Sequence, residues 1–140
     1  MHLTGTELTA QQLYDVLKLR VDVFVVEQEC AYPELDGRDL LPGTHHLWVA
    51  DESGIQSYLR VLTEPGQFRI GRVVTAAQAR GRGLAAQLMK DALDVVGDAD
   101  SVLEAQTYAQ GFYERFGYVA EGTEYLEDGI PHRTMWRRRA

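Results

Sequence analysis

Between Gly71 and Met89 an apolar run, Gly71-Arg-Val-Val-Thr75, gives way after a short connector to Arg80-Gly-Arg-Gly-Leu-Ala-Ala-Gln-Leu-Met89. Glycines 81 and 83 stand at the mouth of a helix. Leu84, Ala85, Leu88, Met89, Ala92, Leu93 and Val96 form its apolar stripe, with Gln87, Lys90, Asp91 and Asp94 opposite. A stripe of this kind has to be buried against a second layer, and Gly97 suits its C-terminal stop. The glycine pair leaves backbone N–H groups open at the helix start and lets a ligand approach closely. The helix end adds a positive partial charge. The stretch predicts a strand–loop–helix unit that holds a phosphate, and the rest of the chain decides which phosphate.

Three glycine-loop patterns compete. An ATP-binding P-loop needs a Gly-Lys-Ser/Thr ending, which is absent. The dinucleotide fingerprint G-x-G-x-x-G/A is matched literally by Gly81, Gly83 and Ala86, and Glu104 follows near the expected acidic position. In that fold the glycines follow the strand directly, whereas Ala76-Ala-Gln-Ala79 intervenes here, and repeated βαβ units are required. The elements around the loop are different. Leu3 to Thr6 reads as a short strand. Thr9-Ala-Gln-Gln12 fits a capping box, and Leu13, Val16, Leu17, Arg20, Val23 and Phe24 recur at helical spacing. The far end of that helix, Val21-Asp-Val-Phe-Val-Val26, is rich in β-branched residues and is expected to fray or change conformation.

Strands are predicted over 44–51, 55–63 and 67–75, joined by Asp51-Glu-Ser-Gly54 and Pro65-Gly66, so the three are antiparallel. Ser101 to Gln106 follows the long helix and is expected to pair parallel through a right-handed crossover. Ala109, Phe112, Tyr113 and Phe116 mark a short helix ended by Gly117. Strands over 118–124 and 133–138 close the chain, with Glu127-Asp-Gly-Ile-Pro-His132 in their connection. The predicted order is β-α-β-β-β-α-β-α-β-β.

Composition narrows the function classes. A chain of 140 residues with 45% hydrophobic and 25% charged residues reads as one soluble domain, residues 1–140. A net charge of −7 argues against a dedicated nucleic-acid binder. Arg137, Arg138 and Arg139 read as a solvated tail or last strand. Cys30 is the sole cysteine, and neither a signal peptide nor a membrane-length apolar run is evident, so no membrane partner and a cytoplasmic location are expected. The segment from Glu27 to Gly43 is the most acidic, with Glu27, Glu29, Glu34, Asp36 and Asp39. It reads either as a solvated loop or as one wall of a site for a cationic substrate. His45-His46 lacks the companion ligands of a metal motif, so no metal is expected.

Arg80-x-x-Gly83-x-Ala85 resembles the Q/R-x-x-G-x-G/A signature of the GCN5-related N-acetyltransferase (GNAT) superfamily. A second signature, N-x-x-A-x-x-x-Y-x-x-x-G-F, is matched in spacing by Gln106, Ala109, Tyr113, Gly117 and Tyr118, with Gln106 in place of the Asn. Phe24-Val-Val-Glu-Gln28, Tyr32-Pro-Glu-Leu-Asp-Gly-Arg-Asp39, Phe112-Tyr-Glu-Arg-Phe-Gly117 and Tyr125-Leu-Glu-Asp-Gly-Ile-Pro-His132 are similar to the ElaA-like group within it. The resemblance implies an α+β, three-layer fold: a mixed, mostly antiparallel sheet flanked by helices and splayed where the cofactor enters. It implies acetyl-CoA as co-substrate and a primary amine of a small molecule or peptide as acceptor. A homodimer is an admitted assembly.

The resemblance also implies roles. Val73, Val74 and Thr75 would pair with the pantetheine arm, with a backbone N–H near Val74 at the developing oxyanion. Arg80, Gly81, Arg82, Gly83, Leu84 and Ala85 would hold the diphosphate, and Gln106 would contact the cofactor. Tyr113 would protonate the leaving thiolate; from the residues alone, without the resemblance, it reads first as a helix tyrosine packed with Phe112 and Phe116. Glu27, Glu104, His45 and His46 are the candidates for the base, and His132 lies in a loop that follows the active-site region. Two further readings carry different chemistry: an acyl-CoA-binding domain without catalysis, and an enzyme that moves a longer acyl group.

Overall fold

The computed structural model describes residues 1–30 and 33–139, so Tyr32 of the ElaA-like stretch lies outside the described residues. Thr9 starts the first helix, α1 (Ala10–Arg20), as its spacing predicts. Its hydroxyl accepts the Gln12 N–H at 3.1 Å, and the Gln12 side chain accepts the Thr9 N–H at 3.0 Å. Beyond Arg20 the helix does not fray. It widens into a π-helical stretch, Val21–Glu27, in which Gln28 N–H reaches back to the Val23 carbonyl at 3.0 Å. The β-branched valines crowd an α-helical backbone, and the wider turn follows their run.

Among the described residues seven strands make one sheet: β1 (His2–Thr4), β2 (His45–Asp51), β3 (Gly54–Glu64), β4 (Gln67–Thr75), β5 (Asp100–Gln106), β6 (Val119–Glu127) and β7 (Ile130–Arg137). Their spatial order is β1-β2-β3-β4-β5-β7-β6. All neighbours are antiparallel except β4 and β5. α2 (Leu84–Val96) makes the crossover between that parallel pair, and α3 (Gln110–Glu114) follows β5. No helix among the described residues is long and apolar enough to cross a membrane.

The helices lie on both faces of the sheet. Leu88, Met89, Ala92 and Val96 of α2 bury their stripe against Leu47, Leu59, Val61, Ile70, Leu103 and Met135, and Phe112, Tyr113 and Phe116 extend that core. Burial of each large side chain is worth about 2 kcal/mol. On the other face Val16 of α1 and Val23 of the π-helical stretch pack with Trp48, Tyr58 and Val74.

The parallel pairing of β4 and β5 is short. It runs from Gln67–Asp100 through Arg69–Val102, and the rest of the two strands diverge. Opposite the divergence β4 carries a bulge: Tyr58 pairs with Val74 and Arg60 with Gly71, so Arg72 and Val73 share one partner position. Arg72 takes a left-handed backbone conformation with φ of 51°. The bulge aims the following residues into the gap between the strands.

Two predicted segments are corrected. The acidic stretch is neither a solvated loop nor an open anionic wall at Glu34 and Asp39, whereas Asp36 stays partly exposed. Glu34 and Asp39 are buried and bind Arg20, itself 0% exposed, at 2.5 and 2.6 Å. Glu34 also takes Arg72 at 3.0 Å, and Arg60 bridges Asp36 and Asp39. A buried carboxylate needs such partners.

The second correction concerns Glu127 to His132. This is not a loop but a tight hairpin turned at Asp128-Gly129, both with positive φ, and β7 begins at Ile130. The basic end is fastened as well. Arg138 pairs with Glu121 at 2.9 Å and lies over the Trp136 ring, and the Arg139 N–H donates to Asp100 at 2.5 Å.

Candidate active site

The gap between β4 and β5 opens into a cleft of about 1020 Å³. Its walls come from the π-helical stretch, Pro33, Asp36 and Arg38 of the acidic segment, β3 to β5, the residues after β5, and the β6–β7 turn. Of the residues singled out in the sequence, Val73, Val74, Thr75, Arg80, Glu27, Glu104, Gln106, Tyr113 and His132 line it. Gly81, Arg82, Gly83, Leu84 and Ala85 continue from Arg80 along the loop into α2 and do not line the cleft themselves. His45 and His46 lie elsewhere. His45 Nδ1 is 2.8 Å from His2 Nε2 at the sheet edge. His46 is buried between the Tyr58 hydroxyl (2.6 Å) and the Asp39 carbonyl (2.8 Å), and burial pushes its imidazole below its ordinary pKa.

Gly83 is the N-cap of α2 with φ of 73°, and no side chain caps the helix. The first intrahelical bond runs from Gln87 N–H to the Gly83 carbonyl, so the N–H groups of 84–86 point out of the helix end. A Cβ placed on Gly81 or Gly83 would meet nothing within 4 Å. These glycines are therefore favoured by their positive φ, and the space beside them is open among the described residues. An anion fits this end of the helix.

Arg80 stands between the loop and the π-helical stretch. Its Nη1 and Nη2 bind the two Glu27 oxygens at 2.7 and 3.0 Å, and its Nε donates to the Thr75 carbonyl at 3.1 Å. The hydrogen bond from Arg80 holds the Glu27 carboxyl below its usual range. Gln106 donates to Gln28 Oε1 at 3.3 Å, which ties the end of β5 to the same stretch.

The two faces of the divergent strands differ in chemistry. Leu103 and Ala105 point toward α2, the side on which Tyr113 packs with the core. Burial pushes the Tyr113 phenol above its ordinary pKa, so it carries its proton at neutral pH. Glu104 and Gln106 point to the opposite face. There Gln106 pairs with His132 of β7, and His132 pairs with Tyr125 of β6. Glu104 accepts from Arg69 at 2.9 Å and from the Tyr125 hydroxyl at 3.0 Å. Burial and the Glu104 carboxylate push the Tyr125 phenol up to about 12. Among the described residues no group of three His, Cys, Asp or Glu side chains is placed to hold a metal.

Comparison with known proteins agrees with this geometry. The family of the acetyltransferase (GNAT) domain matches residues 9–138. A UPF0039 protein of Mycobacterium tuberculosis is 48% identical over 136 residues, covering 94% of this chain and 87% of that protein. The crystal structure of an acyl-CoA N-acyltransferase from Pseudomonas aeruginosa superposes with a TM-score of 0.93 at 44% identity, covering 98% of this chain and 97% of that one. Escherichia coli ElaA superposes equally, with a TM-score of 0.93 at 37% identity over 99% of this chain and 98% of its own.

Proposed function

The chain belongs to the GNAT acetyltransferase family and is an acyl-CoA-dependent acyltransferase, and we propose that it moves an acetyl group from acetyl-CoA to a primary amine. The observation that carries this reading is the divergence of β4 and β5 beside a glycine-opened helix N-terminus. An extended ligand with a diphosphate at one end fits that pair of features.

Each residue has a task in this reading. The N–H groups at the start of α2 and the loop from Arg80 to Ala85 take the diphosphate, with Arg80 and Arg82 adding charge. The β4 edge at Val73, Val74 and Thr75 pairs with the amide-bearing arm as a neighbouring strand would. A backbone N–H beside Val74 stabilises the charge that develops on the thioester oxygen, worth about 3 kcal/mol for one well-placed donor. Gln106 bonds the arm from β5. Tyr113, on the α2 face, protonates the departing sulfur.

The acceptor approaches from the other face, where Glu104, Gln106 and His132 lie. Arginines pair with Glu34, Asp36 and Asp39, so these three carboxylates are not free charges for a cationic acceptor. The test is incubation of the protein with acetyl-CoA and a panel of amines, read by free CoA thiol. Thiol release with at least one amine is expected. Tight CoA binding without release across the panel would refute catalysis and leave a binding domain. Faster release from longer acyl-CoA thioesters would refute the acetyl assignment.

A further inference from the structure

Building on that acyl-transfer reading, we propose that His132 is the general base that takes the proton of the acceptor ammonium. His132 sits on β7, lines the cleft and is 9% exposed. Its Nδ1 lies 2.7 Å from the Ile130 carbonyl. A carbonyl oxygen only accepts, so Nδ1 carries the hydrogen and the neutral ring keeps its lone pair on Nε2. A base needs that arrangement: one nitrogen anchored as a donor, the other free to accept.

Tyr125 of β6 stacks on the His132 ring with centroids 5.9 Å apart at 23°. Glu127, also of β6, places Oε2 3.9 Å from Nε2, too far for a direct hydrogen bond. Gln106 of β5 is neutral, and Glu104 two residues before it is paired with Arg69. Asp128 forms the adjoining turn.

The other bases considered are occupied. Both Glu104 oxygens accept hydrogen bonds, from Arg69 and Tyr125. Glu27 is paired at both oxygens with Arg80. His45 and His46 are outside the cleft. His132 also lies on the face opposite Tyr113, so the base and the acid flank the strand gap from two sides.

The step balances. The ammonium N–H breaks and its proton goes to Nε2, directly or through one water. The amine lone pair forms the C–N bond as the C–S bond breaks. Of the two protons the nitrogen loses, one reaches the sulfur through Tyr113 and the other leaves His132 for solvent. The products are the N-acetyl amine, CoA thiol and one proton.

The decisive variant is His132→Gln, assayed with an alkylamine that the wild type acetylates and with an arylamine that is already neutral at the assay pH. With the alkylamine, kcat/KM is expected to fall about 100-fold or more and to lose its acidic limb. With the arylamine the loss is expected to stay below about tenfold. CoA affinity should be unchanged, which separates a lost base from a damaged fold. An acidic limb that persists in His132→Gln, or equal losses with both amines, overturns the assignment. If the wild type releases no thiol with any amine, the transfer reading fails and takes this assignment with it; thiol release by the wild type with an unaffected His132→Gln refutes the base alone.

Discussion

Replacing Gly83 by alanine separates the two jobs of the cofactor loop. The residue holds φ of 73° and ψ of 18°, a left-handed conformation that costs an L-residue about 1–2 kcal/mol. The added Cβ meets no atom of the described residues within 4 Å, so this backbone term is the whole expected loss of stability. At about 4 °C per kcal/mol the melting temperature should fall by about 4–8 °C. Ligand affinity should fall further than that. The methyl group stands at the open end of α2, where the diphosphate would accept charge-assisted hydrogen bonds worth about 1.5–3 kcal/mol each. Loss of one such bond corresponds to about 10–100-fold weaker CoA binding. Gly97, at the other end of the same helix, is the control. It has φ of 61° and ψ of −132°, and its Cβ also meets nothing. Gly97→Ala should destabilise at least as much as Gly83→Ala and leave CoA affinity within twofold of wild type. Calorimetric titration with CoA and thermal melts of both variants decide the matter. Wild-type affinity in Gly83→Ala, or equal affinity losses in the two, would falsify the cradle.

Other expectations follow from the same geometry. Tyr113→Phe should lower turnover on the order of 100-fold with CoA affinity nearly unchanged, and an unaltered rate in single-turnover kinetics removes the phenol from the mechanism. Arg20→Met leaves two buried carboxylates short of a partner, and a loss of about 3 kcal/mol in urea unfolding is expected. That figure is at the low end for a broken buried pair because Arg72 still holds Glu34 and Arg60 still holds Asp39; an unchanged midpoint contradicts it. Acid should also unfold the protein through this network. Burial opposes the charge of Asp36 and Asp39, but Arg60 and Arg20 outweigh it and hold both carboxyls below the usual aspartate value. The unfolded chain therefore binds more protons than the native one as pH drops. The stabilisation is full above about pH 4–5 and fades toward the lower native pKa. Asp36→Asn should make stability less dependent on pH below about 4, and an unchanged slope there would count against the argument.

Element order, the parallel crossover and the glycine-opened helix were all legible in the sequence, because each has a local cause in periodicity or turn chemistry. The buried ion network was legible only as a missed signal. Arg20 falls within the apolar stripe of α1, and Arg60 sits in the apolar run Tyr58-Leu-Arg-Val-Leu62 of β3. A cation in a core-facing position requires an anion beside it, and the nearby acidic segment supplies it. Which carboxylate meets which arginine depends on the tertiary path and cannot be read locally. The sequence reading leaves His132 in the connection between the last two strands. Asp128-Gly129 was the signal against that placement: positive φ at both positions makes a two-residue hairpin and moves His132 into β7. The pairing of Glu27 with Arg80 joins residues 53 apart and leaves no trace in spacing.

The three-position seam between β4 and β5 has a further consequence. An open strand edge ordinarily invites another chain to add to it, and proteins blunt such edges with charge, bulges or cover. Here the free edge of β4 lies recessed inside a cleft, behind a bulge and under the π-helical stretch. A second polypeptide strand would have to bring side chains on both of its faces into that recess, whereas a slender chain that carries amide groups and no side branches would need only its own width. The same geometry covers an incomplete sheet edge against self-association and leaves its hydrogen-bonding groups facing the cleft.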